Sequence, residues 1–74
     1  MNSTHYNPGK LKTWREQKGM SQPEVAEALK IHSGTVYRAE AGQNVSYELL
    51  CDLADFYGQD VIDLLYSRQV AVAA

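Results

Sequence analysis

Residues 21–42, SQPEVAEALKIHSGTVYRAEAG, constrain this 74-residue chain more than any other stretch. Ser21 is placed to cap a helix, and Glu24 three residues later completes a capping box with Pro23 tolerated in the first turn. Val25, Ala26 and Leu29 fall on one helical face, with Glu24, Glu27 and Lys30 outside it. The segment Lys30 to His32 is too short for anything but a sharp change of direction. Val36 and Ala39 then recur at i, i+3, and Gly42 stands where a left-handed cap suits glycine. The stretch therefore predicts two short helices joined by a tight turn.

Two such helices make a helix-turn-helix. The residues resemble the DNA-binding domain family of the phage lambda repressor and Cro-like regulators (the XRE type). The family pattern places an Arg in the first helix, then Gly-x-Ser-Gln-x-x-x-Ala, a turn, and a recognition helix ending Glu-x-Gly. Arg15, Gly19, Ser21, Gln22, Ala26, Glu40 and Gly42 match it in order and without insertions, and the resemblance covers residues 9 to 66. Two residues depart from it. Lys30 replaces the usual turn glycine, and His32 replaces the small cap before the recognition helix, which leaves Ser33 as a competing cap.

The flanking segments read as further helices. Asn7 and Pro8 open a first helix in which Leu11 and Trp14 form the buried stripe, and Gly19 closes it. Met20 fills the corner under helix two. After the polar loop Gln43-Asn44-Val45, Ser46 caps a fourth helix from Tyr47 to Tyr57, with Leu49, Leu50, Leu53, Ala54 and Tyr57 apolar and Gly58 as its stop. Asp60 caps a fifth, in which Val61, Leu64 and Leu65 face inward and Ile62 and Tyr66 are left over. The expected fold is all-α: a compact five-helix bundle in a single domain over 1–74, with 1–6 flexible and 67–74 an undecided tail.

Charge is divided unevenly. The net charge is −2, but residues 1–43 carry six cations against four carboxylates. Residues 44–74 carry only Arg68 against five. What positive surface exists lies on the helix-turn-helix half, a weak footprint for a nucleic-acid binder. The single Cys51 forms no internal disulfide and fits a reducing cytoplasm. The polar N-terminus is neither a signal peptide nor a membrane span.

Little points to catalysis. His5 and His32 lie 27 residues apart and Cys51 stands alone, so no metal-ligand set is expected. The pairs Asp52/Asp55 and Asp60/Asp63 read as solvated helix faces or helix starts. No phosphate loop or nucleophile–base signature occurs, and no enzyme activity, cofactor or small-molecule ligand is expected.

The resemblance implies the rest. Its third helix lies in the major groove, which places Ser33, Gly34, Tyr37 and Arg38 at base edges. Arg38 can donate two hydrogen bonds to guanine or instead hold a phosphate. Ser33 would discriminate weakly, and Gly34 offers close backbone approach or leaves one base pair unread. Tyr37 either meets the DNA or packs inward. Gln22 matches the family's phosphate-binding Gln, and Thr35, Gln43, Asn44 and Ser46 are further phosphate candidates. Arg15 matches the family's partner for Glu40, 25 residues later. The uncharged loop after the recognition helix predicts a reduced salt-dependent component. Ile62, Tyr66 and Val70, with Val72, are candidates for a homodimer interface on a pseudo-palindromic operator, the alternative being that Tyr66 folds back over its own core. The implied function is a bacterial or phage transcriptional repressor or regulator in the cytoplasm, associated with the nucleoid. The alternative is a protein-interaction module, antitoxin- or inhibitor-like, that keeps the fold with weak or no DNA binding.

Overall fold

Local chemistry starts each helix of the computed structural model, which describes residues 5–43 and 45–65. The Asn7 side chain accepts the Gly9 N–H at 3.1 Å, and Pro8 opens α1 (Pro8–Gln17). At α2 (Gln22–Leu29) the capping box is closed both ways. Ser21 Oγ accepts the Glu24 N–H at 3.2 Å, and Glu24 Oε1 accepts the Ser21 N–H at 2.8 Å. Ser46 caps α4 (Tyr47–Phe56) through the Leu49 N–H, and Asp60 receives the Ile62 N–H at the start of α5 (Val61–Leu65). The fourth helix stops at Phe56, and Tyr57 is its cap residue rather than its last turn.

His32 precedes α3 (Ser33–Glu40) without a side-chain capping bond, so Ser33 is the first helical residue and not the cap. The turn is held from the other side. Lys30 adopts the left-handed conformation at φ 61°, and the Ile31 N–H reaches back to the Ala26 carbonyl at 2.9 Å. This is a Schellman-type stop made with a lysine where a glycine would be unstrained. The lysine Cβ costs this turn ~1 kcal/mol relative to glycine.

The five helices of the described residues bury one core: Leu11 and Trp14 of α1, Val25 and Ala26 of α2, Val36 and Ala39 of α3. Leu50, Leu53, Ala54 and Tyr57 join from the α4 segment, and Leu64 from α5. α3 packs on α1 and α2, while α5 closes against α1 and α4. The leader expected to be flexible through residue 6 is corrected at its last position. Tyr6 is half-buried against the core, and its hydroxyl donates to the Ala39 carbonyl at 2.7 Å. Tyr6 precedes the Asn7 cap and Leu11 stands at the fourth helical position, the spacing of a hydrophobic staple. That local signal was present in the sequence.

Candidate nucleic-acid interface

Helix α3 has one buried side and one open side. Val36 and Ala39 are fully buried, whereas Ser33, Gly34, Tyr37 and Arg38 are exposed and fall within about 140° of the helix circumference. Tyr37 is 57% exposed, which decides its sequence-level ambiguity against an inward packing role. The Arg38 side chain lies back along the first turn. Its Nη2 donates to Thr35 Oγ1 at 3.4 Å, and a Cβ at Gly34 would sit 3.8 Å from its Nη1. That is ordinary van der Waals contact, so the guanidinium would fit beside a Cβ at this position as well.

The back of α3 is tied to both preceding helices through Glu40. Arg15 Nε donates to Glu40 Oε2 at 2.6 Å and Nη2 to Oε1 at 3.1 Å, a bidentate pair with side chains only 12% and 6% exposed. Arg15 Nη1 also donates to the Met20 carbonyl at 2.9 Å. Gln22 Nε2 adds a third donor to the carboxylate at 3.0 Å. One carboxylate thus joins α1, α2 and α3. The hydrogen bond to Glu40 raises the Arg15 pKa further above its already high value, against the opposing effect of burial.

Sequence reasoning missed that Gln22 serves this cluster, because the bond depends on how α2 sits against α3. Gln22 is half-buried, with one amide N–H engaged by Glu40. Of the other phosphate candidates, Thr35 is half-buried beneath Arg38, and Gln43 and Ser46 are exposed beyond the end of α3. Asn44 lies outside the described residues, as do Tyr66, Val70 and Val72. The structure gathers Ser33, Gly34, Thr35, Tyr37 and Arg38 on one helix and sets Ile62 apart from them on α5, where it is 55% exposed.

Tyr57 adds a group that sequence reading treated as purely apolar. Its ring packs edge-on against Trp14 and Phe56, and its buried hydroxyl has no hydrogen-bond partner among the described residues. Burial, reinforced by the negative charge of Glu40, pushes its pKa up to about 12. A raised folded-state pKa contributes stability that is intact below the unfolded value of about 10 and is lost as pH rises toward 12. Thermal melts should therefore hold steady through neutral pH and fall steeply from pH ~10 upward. Tyr57→Phe should flatten that fall while leaving neutral stability nearly unchanged, since it deletes an unpaired hydroxyl. An alkaline profile identical in the variant would show that this phenol does not titrate the fold.

No cluster of three or more metal-ligating side chains occurs among the described residues, and no described helix is long and apolar enough to cross a membrane. A pocket of about 520 Å³ between α4 and α5 is lined by Asp52, Asp55 and Asp60 with Cys51. Its carboxylates would repel a phosphate backbone.

The profile described as "Helix-turn-helix domain" matches residues 9–65, a span that holds nearly all of α1 and the whole of α2 to α5. A curated relative from Methanocorpusculum labreanum, named "Putative HTH-type transcriptional regulatory protein", is 33% identical over 60 residues, covering 77% of this chain. The match takes in only 19% of that relative, so this chain spans about a fifth of its length. No solved structure matches the chain significantly. With the α2–turn–α3 unit, its Glu40 anchor and the matched span in agreement, the chain belongs to the helix-turn-helix domain family.

Proposed function

We propose that this chain is a sequence-specific double-stranded DNA-binding domain of the lambda repressor and Cro-like type. One observation carries the reading. α3 exposes Ser33, Gly34, Tyr37 and Arg38 on one face while Glu40 pins its end to α1 and α2. A rigidly backed helix with an open polar face is what major-groove docking requires. Arg38 supplies the planar fork for a guanine, with Ser33, Gly34 and Tyr37 at neighbouring base edges. Gln22, Thr35, Gln43, Asn44 and Ser46 contact phosphates and set the register.

The name of the Methanocorpusculum labreanum relative points the same way, toward transcription regulation. In this reading the chain acts as a transcriptional repressor or regulator in a bacterial or phage cytoplasm at the nucleoid, without enzymatic activity. One recognition helix reads few bases, so a homodimer on a pseudo-palindromic operator supplies the remaining specificity, its two helices ~34 Å apart. Exposed Ile62 marks the interface, with Tyr66 and Val70 as its continuation.

Binding to a random-sequence duplex across a salt series tests the function without knowledge of the operator. Affinity should fall with salt at a slope of about −0.9 per phosphate neutralised, a shallow dependence given so few cations. No binding even at low salt would sink the DNA reading. It would favour the protein-interaction module that the net charge of −2 suggests. Sedimentation of wild type and Ile62→Asp tests the dimer separately: an Ile62→Asp variant that dimerises as well as wild type rules this interface out.

A further inference from the structure

The segment just before α1 makes contacts with the far end of the recognition helix that the interface above does not use. The Tyr6 hydroxyl, donating to the Ala39 carbonyl at 2.7 Å, also lies 3.1 Å from the carbonyl of Gln43. The next residue, Asn7, donates its N–H to the Leu64 carbonyl of α5 at 3.0 Å. Pro8 follows and packs against Gly42, where a Cβ would stand only 3.2 Å from Pro8 Cγ and φ is +82°. Residues 6–8 are thus a strap across the last turn of α3 and the start of the loop to α4.

The strap adds a side-chain donor at the helix end, where the Ala39 carbonyl also accepts the Gly42 N–H at 3.3 Å. Carbonyls in a last helical turn lack intrahelical donors. The Gln43 N–H already donates to the Arg38 carbonyl at 3.0 Å. With the single Tyr6 hydroxyl proton shared between the Ala39 and Gln43 carbonyls, the Gln43 backbone is held from both sides, which fixes the point from which its exposed side chain projects. A group ordered before binding forfeits less freedom when it meets its ligand.

We infer that Tyr6 is a positioning residue for DNA binding, fixing the Gln43 backbone so that the loop after the recognition helix meets a phosphate already oriented. The inference rests on the DNA-binding reading above. Tyr6→Phe isolates the effect, since it keeps the ring in the core and removes only the hydroxyl. Affinity for a random duplex should fall about 3- to 10-fold, with the log–log salt slope unmoved, because Gln43 is neutral and its phosphate contact releases no counterion. In a Gln43→Ala background the same substitution should cost nothing further, because the contact it prepares is gone. A merely structural Tyr6 would weaken both backgrounds alike, and that result overturns the inference. So does a Tyr6→Phe variant that binds as wild type does. If wild type itself fails to bind duplex DNA, the functional reading falls and this inference with it; the other outcomes overturn only the role of Tyr6.

Discussion

Glu40→Ala should lower the melting temperature by roughly 12–24 °C without any DNA present. The expectation follows from what is left behind. Arg15 would keep its bond to the Met20 carbonyl but lose both carboxylate contacts, in a site where its side chain is only 12% exposed. Removing one partner of a buried pair strands the other charge and costs about 3 kcal/mol or more. Gln22 would lose its acceptor at the same time. In a domain of 60–100 residues each kcal/mol moves the midpoint by roughly 4–8 °C. Total stabilities of small domains are only about 5–15 kcal/mol, so this single change removes a large share. Glu24→Ala is the control, since it deletes an exposed carboxylate from the α2 capping box at a cost of ~1 kcal/mol. A Glu40→Ala midpoint no lower than that of Glu24→Ala would show that the cluster contributes little.

Arg38→Ala should weaken binding to the cognate site by ~1–3 kcal/mol, about 5- to 150-fold, and relax base preference at one position. Arg38 is exposed, and its guanidinium rests along the α3 first turn with only a 3.4 Å contact to Thr35 Oγ1. Little has to break for it to swing into the groove. Stability should change little, because no buried group depends on it. The measurement is a selection for preferred sites with wild type and variant side by side. A uniform loss with unchanged base preferences would make Arg38 a phosphate clamp. Gln22→Ala, in contrast, should weaken all sequences alike, and it should also destabilise the free protein through Glu40.

What the sequence revealed follows the range of the interactions. Asn7-Pro8, Ser21 with Glu24, Ser46 and Asp60 announce helix starts because each cap closes within three residues of itself. The buried stripes of α1, α3 and α4 were legible for the same reason, since helical period is a local property. His32 was harder: with no capping bond to announce it, the start of α3 is set by the Lys30 turn behind it. The Arg15–Glu40 pairing was an implication of the family pattern, not of spacing. The bonds from Gln22 to Glu40 and from Tyr6 to Ala39 carried no pattern at all. They link residues 18 and 33 positions apart, and only the packed helices bring them together. The hydroxyl of Tyr57 escaped notice because an aromatic at an apolar position reads as core, whatever its polar tip meets.

The Glu40 cluster also has a kinetic consequence. The α2–turn–α3 unit closes through a three-residue segment and needs few distant partners to form. Arg15 reaches Glu40 across 25 residues, and Tyr6 reaches Ala39 across 33, so both must wait for long loops to close. Contacts made after the barrier leave the rate of folding nearly untouched and govern the rate of escape from the native state. Glu40 would then act as a latch: chevron plots of Glu40→Ala should show a raised unfolding limb over a nearly unmoved folding limb. A protein built this way keeps its lifetime in a single carboxylate while its folding speed is decided elsewhere, in the turn where Lys30 sits.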